Sequence, residues 1–180
     1  MDVLHGLARM IDLGTAYPEL EHKRLIRLDT AAIMASAKDR GSCEALLITI
    51  FNEVVKAGNV IVVIDEFALF VRDAAALGIE MQSFLAPYLS SGGVQLVAVS
   101  DVHSFHQTLE PKGELMRFFE KIILAPIDAR TLVELLESEI ERVERRNGVF
   151  FTFPALKEVV ESAERYFSQG STIDKAHGLI

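Results

Sequence analysis

Asp65 and Glu66 stand side by side at the end of an unbroken apolar run, Val60-Ile61-Val62-Val63-Ile64, which follows Asn59. Two adjacent carboxylates suit Mg²⁺ binding and the placing of a water beside a nucleotide's phosphates. Phosphoryl transfer needs a metal and an oriented nucleophile more than covalent help from the protein. The run itself says where such a pair would sit. Five consecutive β-branched residues read as a strand buried on both faces, as in the middle of a parallel sheet. Acids at its carboxyl end then lie on the edge where open α/β sheets bind ligands. The plainer reading is a core strand running out into solvent, its acids merely opening the next loop.

Composition removes several other chemistries. A chain of 180 residues, half of them apolar and about a quarter charged, belongs to the globular class and can hold one full core or a core plus a small lobe. Its net charge of −8 argues against a nucleic-acid backbone as main partner, which draws on clustered Lys and Arg. The local basic stretches His22-Lys23-Arg24 and Arg142…Arg145-Arg146 read as solvated faces. Cys43 is the only cysteine, so neither a disulfide framework nor a cysteine metal site is available. His103 and His106 have no Cys or Glu nearby at a familiar ligand spacing. No stretch approaches the roughly 18 apolar residues of a membrane span, and no signal-peptide pattern opens the sequence, so the expected setting is cytoplasmic with no membrane partner.

The elements that must position the acids follow from periodicity. Asp2 caps a helix with Val3, Leu4, Leu7, Ala8 and Ile11 on one face, and Gly14 suits its end. Leu25-Ile26-Arg27-Leu28 reads as a short strand closed by Asp29-Thr30. From Ser42 to Ala57, Cys43, Leu46, Leu47, Ile50, Phe51, Val54 and Val55 keep helical spacing, and Gly58 ends the segment. After the acid-tipped strand come a helix through Met81, Phe84, Leu85 and Leu89, the turn Ser90-Ser91-Gly92-Gly93 and the strand Val94–Val99. Lys121-Ile122-Ile123-Leu124 reads as a further strand, stopping at Ala125-Pro126. Strands alternating with helices predict right-handed crossovers and a three-layer α/β fold with a parallel sheet. Beyond Pro126 the pattern is helical: Leu132, Leu135, Leu136, Ile140 and Val143 over 129–146, then a helix opened by Pro154, then a short one near Ile173. The expected division is therefore a sheet domain over 1–126 and a small helical lobe over 127–180.

The order of these motifs carries a resemblance. Leu28-Asp29, Ala37-Lys38-Asp39-Arg40-Gly41, the 42–57 helix, Asn59–Glu66, Leu96-Val97-Ala98-Val99-Ser100-Asp101, Leu115-Met116-Arg117-Phe118-Phe119-Glu120-Lys121-Ile122 and Ile173-Asp174-Lys175-Ala176-His177-Gly178-Leu179-Ile180 run in sequence. Together they resemble the first ATPase module of the Clp-type AAA+ unfoldases and disaggregases over nearly the whole chain. The resemblance implies a P-loop NTPase-like large subdomain followed by a partial small helical subdomain, with ATP and Mg²⁺ as cofactors. It implies protein substrates, a hexameric ring in the parent protein and room for a Clp-type protease partner. Under it, Asp65 and Glu66 are the Walker B pair, Asp65 holding the metal and Glu66 orienting the attacking water. Ser100 or Asp101 falls at the nucleotide-sensing position; read without the family, the pair is a turn or helix cap. Arg117 falls at the arginine finger, with a surface or inter-lobe ion pair as its plainer reading. Lys38, Asp39, Arg40 and Gly41 occupy the substrate-gripping pore loop.

Three departures from the family pattern matter. The phosphate-binding Gly-x-x-x-x-Gly-Lys-Ser/Thr loop is absent from the sequence, and Asp2–Arg9 aligns with the helix that follows it. Without that backbone cradle and its lysine the phosphates lose their main anchors, so the chain alone is expected to be inactive. Asp39 stands where an aromatic usually grips the translocating polypeptide, and Phe118 stands where a second finger arginine is expected. The sequence is compatible with a fragment of an ATPase and with a degenerate homologue. The competing reading is a non-hydrolysing AAA+-like structural or interaction module, against which stands the intact Asp65-Glu66 pair. An unrelated α/β small-molecule binder would need the whole motif order to be coincidence.

Overall fold

The computed structural model describes residues 2–125 and 128–166. It divides into two compact units, Met1–Lys121 and Ile122–Ile180. The sequence places the domain boundary at 126, but the Pro126-Ile127 junction lies outside the described residues, as do the helix read near Ile173 and the Asp174-Lys175-Ala176 stretch.

The first unit is an α/β layer structure around three parallel strands in the order β1-β2-β3. These are β1 (Arg24–Leu28), β2 (Val60–Ile64) and β3 (Gln95–Ala98). All five residues of β2 are buried, and β2 is the strand with a partner on each side, as its β-branched run predicts. Helices make the crossovers that parallel neighbours require. Before β1 lies α1 (Asp2–Asp12); between β1 and β2 lie α2 (Thr30–Ser36) and α3 (Arg40–Ala57). Between β2 and β3 lie α4 (Phe67–Ala76) and α5 (Met81–Ser90). The chain then makes a short turn of helix, α6 (Val102–Ser104), a π-helical stretch Phe105–Leu109, and α7 (Gly113–Met116).

Helix α3 begins in a capping box, the Asp39 carboxylate accepting from the Ser42 amide while the Ser42 hydroxyl takes the Asp39 amide. It ends at Gly58, whose φ of 68° needs the freedom of glycine. Its buried face is narrower than the sequence suggests. Cys43, Leu47 and Phe51 are buried and Ile50 and Val54 pack against them, but Leu46 and Val55 face outward. Phe51 meets Phe84 edge-on at 5.3 Å and Tyr88 at 5.1 Å, tying α3 to α5.

Two expectations need correction. The segment after the acids is a helix, α4, that the sequence reading passed over. Its Phe67, Ala68, Phe70, Val71 and Ala74 are buried on one face at helical spacing, while Leu69, Arg72, Ala75 and Ala76 are exposed. Conversely, Lys121-Ile122-Ile123-Leu124 is not a strand. Ile122 is 81% exposed, and no described strand pairs with the run. β-branched composition favours extended backbone, but a strand exists only where a ladder partner satisfies it.

The second unit is helical. Helices α8 (Ala129–Asn147) and α9 (Phe153–Tyr166) share a core of Leu132, Val133, Leu136, Ile140, Leu156, Val160 and Ala163. Asp128 caps α8 and Gly148 ends it at a φ of 66°.

Candidate functional site

The carboxyl end of β2 is held in place by its neighbour. Val99 donates its amide to the Ile64 carbonyl at 2.9 Å and accepts from the Phe67 amide at 2.8 Å. The chain between those bonds is Asp65-Glu66, and the residue following Val99 is Ser100, so the tips of β2 and β3 are laced together at the acids. Phe67 is anchored again from the far side, its ring 5.5 Å from that of Phe119.

Asp65 is partly buried. Its Oδ2 accepts a long hydrogen bond from Arg27 Nη1 at 3.5 Å, while its Oδ1 is buried with no partner. A buried carboxylate oxygen without a donor is costly and calls for a cation or an ordered water. This orphaned oxygen fits Mg²⁺, which is held by one or two carboxylates with phosphate oxygens and water completing the shell. Among the described residues no group of three His, Cys, Asp or Glu forms an all-protein metal cage. Glu66 is exposed, caps α4 with its backbone alone and adopts a left-handed φ of 50°. That conformation is uncommon outside glycine, asparagine and aspartate and turns the chain sharply off the strand.

Beside this pair, Ser100 is half-buried and its hydroxyl donates to the Asp101 carbonyl at 3.1 Å. Asp101 caps the helix that follows, accepting from the Ser104 amide at 2.9 Å. Hydrogen bonds from Ser104, side chain first and then amide, hold the Asp101 carboxyl below its ordinary value. Ser100 is the member of that pair whose side chain is not committed to capping.

The other candidates lie elsewhere in the first unit. Arg117 ends α7, is largely exposed and reaches Glu114 Oε1 at 3.8 Å rather than the acids. Phe118 is half-buried. Lys38, Asp39, Arg40 and Gly41 are exposed at the turn from α2 into α3, but only Lys38 and Asp39 precede the helix. Asp39 is its N-cap, its carboxyl lowered by the hydrogen bonds from the Ser42 amide and then its hydroxyl, and Arg40 pairs with Glu44 at 2.9 Å. The acid standing at the aromatic's position thus has a structural use. Arg27, which touches Asp65, escaped the sequence reading. Its signal was a lone cation inside the apolar strand candidate Leu25–Leu28.

Comparison with known proteins follows the same lines. No family model matches the chain. It is 32% identical over 179 residues to a probable ATP-dependent Clp protease ATP-binding subunit of Chlamydia pneumoniae, a match covering 99% of the chain and 21% of that protein. It is 32% identical over 181 residues to the chaperone protein ClpB of Dichelobacter nodosus, with 99% and 21% covered. Among solved structures it superposes with a TM-score of 0.81 and 26% identity on Hsp104 in a closed-state complex with ATPγS and FITC casein, covering 99% of the chain and 30% of that one. The chain spans about a fifth of the length of the curated relatives it matches. With the motif order, the parallel sheet and these relatives in agreement, the chain belongs to the Clp-type AAA+ ATPase family.

Proposed function

We propose that the chain supplies the metal-holding and water-activating carboxylates of a Clp-type ATPase module that works on protein substrates within a hexameric ring. Asp65 would hold Mg²⁺ and Glu66 would orient the attacking water. Held there, Mg²⁺ would offset the negative charge of the nucleotide's phosphate oxygens. The observation that carries the reading is the buried, unpartnered Oδ1 of Asp65 at the tip of the central strand. Glu66 is turned out of the strand line by its left-handed backbone and keeps a carboxylate free of capping bonds, as a water-orienting base requires. Ser100 lies at the laced tips as the group that senses the γ-phosphate, and Arg117 serves a neighbouring subunit's nucleotide in the ring. Lys38 and Arg40 flank the pore with charge instead of an aromatic grip. An assembly with a Clp-type protease is compatible with this role.

The chain by itself lacks a Gly-x-x-x-x-Gly-Lys-Ser/Thr loop and should not turn over ATP. A second reading, a non-hydrolysing AAA+-like spacer or interaction module, is favoured by the use of Asp39 as a helix cap. One experiment separates the two. The chain is joined to the phosphate loop of a relative, and ATP binding and hydrolysis are measured alongside Glu66→Gln. The ATPase reading expects binding in the micromolar range where the unjoined chain shows millimolar binding at most. It also expects Glu66→Gln to keep binding while lowering turnover by about 10²-fold or more. Turnover that is absent with the loop in place, or unchanged by Glu66→Gln, overturns it.

A further inference from the structure

Arg27 is the one described cation paired with the acids, and the sheet register explains how. Arg27 lies beside Val63 in the parallel β1–β2 ladder. Side chains alternate along a strand, so Val63 and Asp65 point to the same side as Arg27. The diagonal from Arg27 to Asp65 crosses about 4.8 Å between strands and about 6.6 Å along them, a span that a guanidinium on its three-carbon stem bridges. It arrives at Oδ2 with a contact of 3.5 Å, the long end of hydrogen bonding. The Arg27 side chain is 67% exposed, so most of it already stands in solvent. The two oxygens of one carboxylate are therefore treated differently: one is compensated by a loosely held cation, the other is buried and empty-handed.

We propose that Arg27 is a built-in counter-ion of Asp65 that an arriving divalent cation displaces, so that residue 27 sets the affinity of the site for metal. The inference rests on Asp65 as the metal-holding carboxylate. A divalent ion on that carboxylate faces the guanidinium's positive charge at short range, and the repulsion is relieved only when Arg27 swings into solvent. Among the described residues Asp65 has no other ion-pair partner, so Arg27 is what offsets its charge while metal is absent. Because the pair is half in water, its influence is modest and salt-sensitive.

The test is a Mn²⁺ titration of the full chain, with metal alone, followed by paramagnetic broadening of the Asp65, Glu66 and Phe67 amide signals. Arg27→Gln should bind Mn²⁺ about two- to fivefold more tightly than the parent at low salt. Arg27→Lys, which keeps the charge, should stay within about twofold, and the Gln gain should shrink at about 0.5 M KCl. A structural role for Arg27 would not produce this charge- and salt-dependent pattern. Equal or weaker binding by Arg27→Gln overturns the inference while leaving Asp65 as the ligand. Broadening that persists unchanged in Asp65→Asn instead removes Asp65 from the metal site, and the inference falls with it.

Discussion

Glu66 holds a backbone conformation that its side chain does nothing to stabilise. Its φ of 50° places it in the left-handed region, its carboxylate makes no capping bond, and the amide behind it is fixed by Val99 through Phe67. Such strain costs on the order of 1 kcal/mol for a non-glycine residue and persists where the surroundings over-determine it. Glycine would relieve most of it, offset by the greater freedom of an unfolded glycine. Glu66→Gly is therefore expected to be neutral or to stabilise the first unit by up to about 1 kcal/mol in urea unfolding. A loss above about 1 kcal/mol would show that the Glu66 side chain has a packing role. The acid pair was legible because its residues are local to one strand end. Arg27 was not, since its meaning depends on a register with residues far along the chain.

At the scale of elements, the legible ones are those whose pattern is self-contained. The β2 strand announces itself by five β-branched residues, and α3 by its helical spacing and terminal glycine. Helix α4 was equally legible, with Phe67, Phe70, Val71 and Ala74 at helical spacing, and was passed over, whereas the 121–124 run was misread because pairing is not written locally. Caps recur as the device that starts helices: Asp39, Asp101 and Asp128 each accept from an amide three residues on. Hydrogen bonds from Ser42, Ser104 and Thr131 respectively hold all three carboxyls below their ordinary value of 3.8. A carboxyl whose value is depressed on folding adds stability that is full above its unfolded value and is lost as pH falls through the folded one. Stability should therefore decline below about pH 4. Asp39→Ala should lower the melting temperature at pH 7 by on the order of 2–4 °C, and the gap to the parent should narrow below about pH 3. A gap that is constant from pH 7 to pH 2 would mean that the charge of Asp39 does not contribute to the cap.

At the scale of the whole molecule, the described residues build two apolar clusters. One gathers α3, α4, α5 and the inner residues of the sheet around Phe51, Phe67 and Ile64. The other joins α8 to α9 through Leu132, Leu136, Leu156 and Val160. Among the described residues the buried side chains of the two clusters are separate sets, the first in the unit that bears the acid-tipped strand and the second in the helical unit. No described helix is long and apolar enough to cross a membrane. Leu136 is 1% exposed at the centre of a two-helix core too small to relax around a cavity without cost. Leu136→Ala should destabilise the second unit by about 2–4 kcal/mol, enough to unfold a two-helix layer locally. Amide hydrogen exchange reads the result by position. Protection should collapse over α8 and α9 while the amides of Ile61 to Ile64 exchange as in the parent chain. Equal loss of protection in β2 would show that the two cores unfold as one cooperative body, and that the sheet bearing Asp65 and Glu66 relies on the helical unit after all.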